Sequence, residues 1–172
     1  IYFNNFSTSK ATTISGMFGG CSSLSSLNLS SFETSEVTDF NYIFYGCTSL
    51  KSLNLGNFVT SKATKMNMMF NECSSLTSLD LNSFDTSQVT DFSLMFYGCS
   101  SLKSLNVNNF ITSKAELMPG MFSGCSSLSS LNISSFDTSN VNDFNHMFYE
   151  CKSLQYLNIS NFITTNGILM TS

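Results

Sequence analysis

The sequence predicts an α/β repeat solenoid, a stack of coils of equal length. Three observations predict it. Cysteine recurs every 26 positions, at 21, 47, 73, 99, 125 and 151, with no insertion or deletion between them, and each such period is one coil. Leucines recur at the same step, three and six residues after each cysteine. Two columns of phenylalanine, beginning at Phe6 and Phe18, contain 13 of the 17 phenylalanines, and we expect them to form two stacked aromatic spines in the core.

The leucines predict one short strand in each coil. Leu27 and Leu29 alternate with Ser26, Asn28 and Ser30, which is the period of a strand buried on one side. A fixed period with the pattern L-x-x-L-x-L in each copy is typical of a leucine-rich-repeat solenoid. We therefore expect the strands of successive coils to form a parallel sheet, with the serines and asparagines on its exposed face.

The second half of each coil predicts one or two turns of helix. Apolar residues occupy positions i, i+3, i+4 and i+7 there: Phe40, Ile43, Phe44 and Cys47. Thr38 or Asp39 can cap the start of this helix, and Gly46 can cap its end. The residues between strand and helix, 32–37, predict a turn and allow a second short strand.

Neighbouring coils alternate between two types, so the true repeat is a super-repeat of 52 residues. In one type the segment ends in a Lys-Ala pair, as it does from Phe58 to Ala63. In the other type the segment is acidic, as it is from Phe84 to Phe92. One column reads Lys10, Glu36, Lys62, Gln88, Lys114 and Asn140. With strands about 4.8 Å apart, the alternation places like charges about 9.6 Å apart instead of in contact.

The cysteines allow two states. Neighbouring coils could pair them in three disulfides, Cys21 with Cys47, Cys73 with Cys99 and Cys125 with Cys151. Reduced, packed thiols are favoured because each cysteine continues an apolar face and free cysteine is a commonly buried residue. Neither C-x-x-C nor a Cys/His pair occurs in the sequence, so no metal or other cofactor is predicted.

The sequence predicts that the protein is not an enzyme. Its one histidine, His146, stands three residues after Asp143, but it occupies the same repeat position as Tyr42, Met68 and Leu94. A variable repeat position is a poor candidate for a catalytic residue. A recurring Thr-Ser pair could form a threonine ladder that orders water, as in ice binding, but hydroxyl groups that hydrogen-bond between coils are the favoured interpretation.

Composition excludes two classes of partner. The net charge is -4, only 10% of residues are charged, and no basic cluster exists, so neither nucleic acid nor an anionic membrane surface is an expected partner. No apolar run reaches the length of a membrane span, and the first residues lack the pattern of a signal peptide. We expect a single solenoid over residues 1–172, about six and a half coils, uncapped at both ends and an excerpt of a longer repeat protein.

The run from Val89 to Val107 resembles the BspA-type leucine-rich repeats and the similar repeats of mycoplasma-type lipoproteins of unknown function. Every repeat of the chain shares the pattern MF-x-x-C-x-S-L-x-x-L-x-L in whole or in part. The resemblance implies a secreted or cell-surface solenoid that adheres to host proteins, matrix proteins or other cells.

We therefore expect a non-enzymatic, extracellular or cell-surface adhesion or protein-binding array, or alternatively a structural building block of an extracellular filament or coat that associates end to end. The expected binding residues are the exposed strand positions Ser26, Asn28, Ser52, Asn54, Ser78, Asp80, Ser104, Asn106, Ser130, Asn132, Tyr156 and Asn158. Sequons at Asn5, Asn28, Asn132 and Asn158 are candidate glycosylation sites and mildly favour a secreted protein.

Overall fold

The stack of coils that the period predicts is present in the computed structural model, which describes Phe3 and residues 6–163. Backbone hydrogen bonds join residues that are 25 or 26 positions apart along the whole described chain. The predicted core positions are buried: Phe44, Cys47 and Leu50 each have 0% exposure. One continuous apolar core runs through all the coils. The repeat fold is therefore confirmed.

The coils are joined along one edge by a column of parallel β-bridges. The column runs through Thr13, Asp39, Lys65, Asp91, Leu117 and Asp143. Along the chain after each bridge residue, alternate residues donate their N–H to a carbonyl of the next coil. Phe40 donates to Lys65 O (3.0 Å) and Phe44 donates to Met69 O (3.0 Å). Equivalent bonds recur in the coils between Ile14 and Gly124, although the Met66 N–H makes none, so this edge is a hydrogen-bonded ladder.

Regular strands are few on the leucine side. The described residues contain two, β1 (Ser130–Asn132) and β2 (Tyr156–Asn158), which pair in parallel with Leu131 opposite Leu157. In an earlier coil the Thr77 N–H lies 3.5 Å from Lys51 O, which is too long for a good hydrogen bond. The predicted parallel sheet is thus confined, in the described part of the chain, to one pair of strands.

The predicted helical turns are wrong. The described residues contain no helix, and the segment 40–47 is a run of successive β-turns in which Tyr45 N–H bonds to Tyr42 O (3.0 Å) and Cys47 N–H bonds to Phe44 O (3.1 Å). Tyr42 and Gly46 have positive φ angles of 58° and 69°, a conformation that a right-handed helix does not contain. The apolar positions are nevertheless buried as predicted. The burial pattern was right, and its interpretation as a helix was not.

The predicted caps have other roles in this segment. The Asp39 carboxylate accepts the Asn41 N–H (3.0 Å), which starts the first turn and not a helix. Gly46 does adopt the left-handed conformation expected at its position. Residues 32–37 form a turn closed by Val37 N–H and Thr34 O (3.0 Å), without a second strand.

One of the two predicted aromatic spines is continuous. The rings from Phe18 to Phe148 stack coil on coil, with centroids 5.6–5.9 Å apart and planes within 13° of parallel. The second column is interrupted, because Phe58 packs obliquely on Phe40 at 6.1 Å, with the planes 43° apart. Phe40 belongs to only one of the two coil types, so the second spine follows the alternation of the core.

The 52-residue alternation has the predicted physical form. Val37 and Phe40 of one coil type, and Ala63 and Met66 of the other, are all completely buried. At the surface, Lys62 Nζ lies 2.7 Å from the Glu36 carboxylate in the neighbouring coil. The core residues therefore alternate in size between the two coil types, and a lysine of one type bonds to a glutamate or a glutamine of the other, as Lys62 does to Glu36 and Lys114 does to Gln88.

Candidate functional site

The predicted binding residues lie together on one exposed side of the stack, called here the strand face. Eleven of them are exposed and Asn158 is half-buried; the set is Ser26, Asn28, Ser52, Asn54, Ser78, Asp80, Ser104, Asn106, Ser130, Asn132, Tyr156 and Asn158. The side-chain oxygens of the asparagine column accept the N–H two residues later, as Asn54 does from Gly56 (3.0 Å). Asp80 does the same with Asn82 (3.0 Å). These oxygens hold the turn that follows each strand segment.

The strand face has one charged residue, Asp80, and one large exposed side chain, Tyr156. Tyr156 is 59% exposed, whereas the other positions carry serine, asparagine or aspartate. The leucines beneath, such as Leu79 and Leu105, are only 8% exposed. Such a surface suits a broad, weak contact better than a deep pocket.

The sequons differ in accessibility. Asn28 and Asn132 are exposed and Asn158 is half-buried, whereas Asn5 lies outside the described residues. The Asn132 oxygen accepts both the N–H (3.1 Å) and the hydroxyl (2.8 Å) of Ser134, the serine of its own sequon. Glycosylation at these sites remains a prediction.

The threonine column is internal, which confirms the favoured interpretation of the Thr-Ser pairs. Thr86 is completely buried, and its hydroxyl donates to Ile111 O (2.9 Å) and accepts from Ile111 N–H (2.8 Å). Thr60 bridges Asp85 in the same way, at 2.9 and 2.8 Å. Because these hydroxyls join neighbouring coils from the inside, they do not form an outer ladder that could order water.

The cysteine column consists of free thiols, as favoured from the sequence. Each thiol from Cys47 to Cys151 donates to the carbonyl of a phenylalanine in the preceding coil, as Cys99 does to Phe70 O (3.2 Å). Burial, with a smaller contribution from the neighbouring cysteine, raises the pKa of the Cys47 thiol to about 11 and that of the Cys125 thiol to about 12. The Cys47 and Cys125 thiols are therefore protonated packing groups at neutral pH.

His146 is an exposed residue of the turn segment. It has a positive φ angle of 58°, like Tyr42 at the same repeat position, and its ring lies edge-on to Tyr149 at 5.6 Å. The Asp143 carboxylate accepts the Asn145 N–H (2.8 Å). Within Phe3 and residues 6–163, no three His, Cys, Asp or Glu side chains are grouped so as to hold a metal ion.

A second candidate surface, which the sequence analysis did not select, lies along the hydrogen-bonded ladder. Tyr45, Tyr97 and Tyr149 occupy the same position in every second coil and are 43%, 37% and 49% exposed. The coils between them carry Asn71 and Ser123 at this position, and both are buried. The result is a row of tyrosine ridges separated by grooves. The spacing of two coils between the tyrosines was the signal that could have identified it.

The groove between Tyr97 and Tyr149, called here the tyrosine groove, has a volume of about 350 Å³. Its lining is Leu94, Tyr97, Pro119, Gly120, Ser123, Asn145, His146 and Tyr149. Gly120 keeps the floor low, whereas Met68 fills the same position in the preceding groove. An aromatic-walled groove with a few polar groups is a common form of ligand site.

Comparison with known proteins relates the chain to one family. The family model DUF285, described as a Mycoplasma protein of unknown function, matches residues 2–104 and 74–172. A solved leucine-rich-repeat protein of T. pallidum, TpLRR, is similar with 20% identity and a TM-score of 0.42, over 81% of this chain and 69% of that chain. No curated protein matches the chain. Residues 6–163 contain no helical stretch that could span a bilayer. Because the two family matches overlap and extend over nearly all of the sequence, the chain belongs to the DUF285 family.

Proposed function

We propose that the chain is a non-enzymatic protein-binding array that mediates adhesion at a cell surface or in the extracellular space. The observation that carries this proposal is the repetition of exposed columns on a rigid stack. The described coils present equivalent positions at the strand face, every second one presents a tyrosine along the ladder, and backbone bonds join neighbouring coils. Repeat proteins use such extended surfaces to bind large partners.

The surface chemistry favours a protein partner. The strand face is polar with a single charged residue, Asp80, and the tyrosine ridges add large amphipathic side chains that are enriched in binding hot spots. The extracellular location is part of the proposal, and it is supported by the resemblance to surface and secreted repeats.

Adhesion is tested with beads that carry the purified chain, applied to cultured cells and to immobilised extracellular-matrix proteins. We expect retention above that of uncoated beads. A variant with Ser104→Arg and Ser130→Arg places two bulky charges on the strand face and should lower retention, if that face makes the contact. The matched control, Ser61→Arg with Ser113→Arg, changes exposed serines at another corner of the coil. Absence of retention on every surface would contradict the proposal.

The alternative function, a building block of a filament or coat, is favoured by one observation. The coil-to-coil bonds repeat with equivalent partners from coil to coil, so the stack has one mode of growth. Sedimentation velocity over a range of concentrations distinguishes the two functions. Association that grows with concentration supports the building block, and a monomer at all concentrations supports the binding array.

A further inference from the structure

The tyrosine ridges recur along the solenoid at a spacing that one kind of peptide shares. Tyr97 and Tyr149 are two coils apart, and parallel strands lie about 4.8 Å apart, so the ridges are about 9.6 Å apart. A polyproline II helix has three residues per turn and a rise of about 3.1 Å per residue, hence about 9.3 Å per turn. A peptide in this conformation, laid along the solenoid axis, presents the same face to each ridge.

Other peptide conformations fit this spacing poorly. An extended β-strand advances about 10 Å in three residues, but its side chains alternate between two faces, so successive ridges would meet opposite faces. An α-helix has a pitch of about 5.4 Å, and two turns exceed the ridge spacing by about 1 Å at every ridge. The polyproline II helix alone among the three matches both the distance and the face.

The chemistry of the tyrosine groove suits proline. Aromatic rings form its walls, and Leu94 and Pro119 contribute apolar surface beside them. A polyproline II helix has no internal hydrogen bonds, so its carbonyls need donors from the partner. The hydroxyl of the exposed Tyr97 can supply one at the rim, whereas the Tyr149 hydroxyl already donates to the Glu150 carboxylate.

Backbone hydrogen bonds hold the segments that carry the walls of the groove. Leu94 N–H bonds to Pro119 O (2.8 Å) and Phe96 N–H bonds to Met121 O (2.9 Å), which ties the segment of Tyr97 to the groove floor. A groove with a fixed backbone and a ligand with a pre-formed helix both lose little conformational entropy on binding.

The charge around the groove favours a basic ligand. The Glu72 carboxylate lies close to Gly98, the residue after Tyr97, since a side chain added at Gly98 would meet it at 3.0 Å. Glu150 follows Tyr149, although Lys152 pairs with it at 2.6 Å. Asp91 and Asp143 lie half-buried on the same ladder. An arginine or lysine beside the prolines would meet this acidic edge.

We infer that the tyrosine groove binds a proline-rich peptide segment in the polyproline II conformation, with a basic residue at its flank. This inference rests on the proposed function, because it names the class of partner that a protein-binding array would recognise. A segment of about seven residues spans two turns and therefore reaches the ridges of Tyr45, Tyr97 and Tyr149.

The inference is tested with the full chain and a fluorescein-labelled probe, two arginines followed by about nine prolines, which is three turns of the helix. Fluorescence anisotropy should show saturable binding. Tyr97→Ala and Tyr149→Ala should each weaken it about tenfold or more, as at other aromatic anchors. Ile111→Ala, which shortens an exposed apolar side chain outside both the tyrosine groove and the strand face, should change it less than twofold. Matching unfolding midpoints for the three variants verify that the fold is kept.

Three results would overturn the inference. One is equal binding of a probe with two arginines and a Gly/Ser tail of the same length, because charge alone would then explain the affinity. Another is probe binding whose affinity is the same in Tyr97→Ala, in Tyr149→Ala and in the unchanged chain. The third is no binding of the proline probe, including the case in which a neutral oligosaccharide binds with the same tyrosine dependence. If the coated beads still adhere to cells in that third case, the proposed function survives and only its partner class is wrong.

Discussion

The buried threonine column makes a strong claim about what joins the coils, and Thr86→Val tests it. Thr86 is completely buried, and its hydroxyl makes two hydrogen bonds to Ile111, one as donor (2.9 Å) and one as acceptor (2.8 Å). Valine has nearly the same shape, so the change leaves no cavity. Losing both bonds, and leaving the Ile111 N–H and C=O without these partners, should cost about 2 to 4 kcal/mol of unfolding free energy.

Urea denaturation followed by far-ultraviolet circular dichroism measures this cost. Thr86→Ser keeps the hydroxyl and should recover most of the loss, whereas Thr90→Val, at an exposed position in the same coil, should change the free energy by less than about 0.5 kcal/mol. If Thr86→Val and Thr90→Val unfold at the same urea concentration, the internal hydroxyls do not hold the coils together and the reasoning fails.

Three further predictions concern the surface, the backbone and the thiols. Glu36→Lys replaces the partner of Lys62 with a like charge at a half-exposed site, so it should lower the unfolding free energy by up to about 1 kcal/mol at low salt. A difference in melting temperature between variant and parent that does not change with salt would argue against this electrostatic cause. Gly120→Ala should lower the unfolding free energy by about 1 kcal/mol more than Gly56→Ala does, because Gly120 has a φ of 58° and Gly56 does not have a positive φ. Equal melting temperatures for the two variants would contradict this. Burial raises the pKa of Cys47 from 9.0 to about 11, so the folded state keeps a proton that the unfolded chain releases. Stability should therefore fall as the pH rises from about 9 to 11, and fall less in Cys47→Ala; identical pH profiles for the two proteins would refute the assignment.

The sequence predicted the period, the core and the column contacts because each depends only on the spacing of side chains. Cys47, Leu50 and Phe44 recur at one step, and a stack of identical coils is the simplest way to bury them all. The pairing of Lys62 with Glu36 follows from the same step. No knowledge of the backbone path within the coil was needed for these predictions.

The backbone path itself was harder to predict. Burial at i, i+3, i+4 and i+7 arises from a helix, but a run of β-turns with left-handed residues at every fourth position buries the same set. Gly46 and Gly98 were signs of such turns. Tyr42 and Leu94 adopt the same left-handed conformation although they are not glycine, and this hid the pattern.

The tyrosine groove was missed for a different reason. The predicted binding residues lie on the exposed side of the leucine strands, where repeat proteins commonly bind. The helix expected at Tyr45 and Tyr97 would have left these rings as scattered surface residues. Once the segment is a ladder, equivalent positions in every second coil line up and the rings become walls.

The central claim is that the stack is built from two alternating coil types that fit only each other. Two deletions test it most directly. Removing residues 47–98, which is two whole coils, joins an acidic coil to a Lys-Ala coil and keeps the alternation. Removing residues 73–98, which is one whole coil, places two Lys-Ala coils side by side and brings Lys62 next to Lys114.

The measurement is the urea midpoint of each deletion variant. A stack that depended on length alone would make the shorter variant the less stable one, because each coil adds contacts with its neighbours. The alternation predicts the reverse: the variant lacking two coils unfolds cooperatively, at a midpoint equal to or above that of the longer variant lacking one coil. A higher midpoint for the longer variant would contradict the claim.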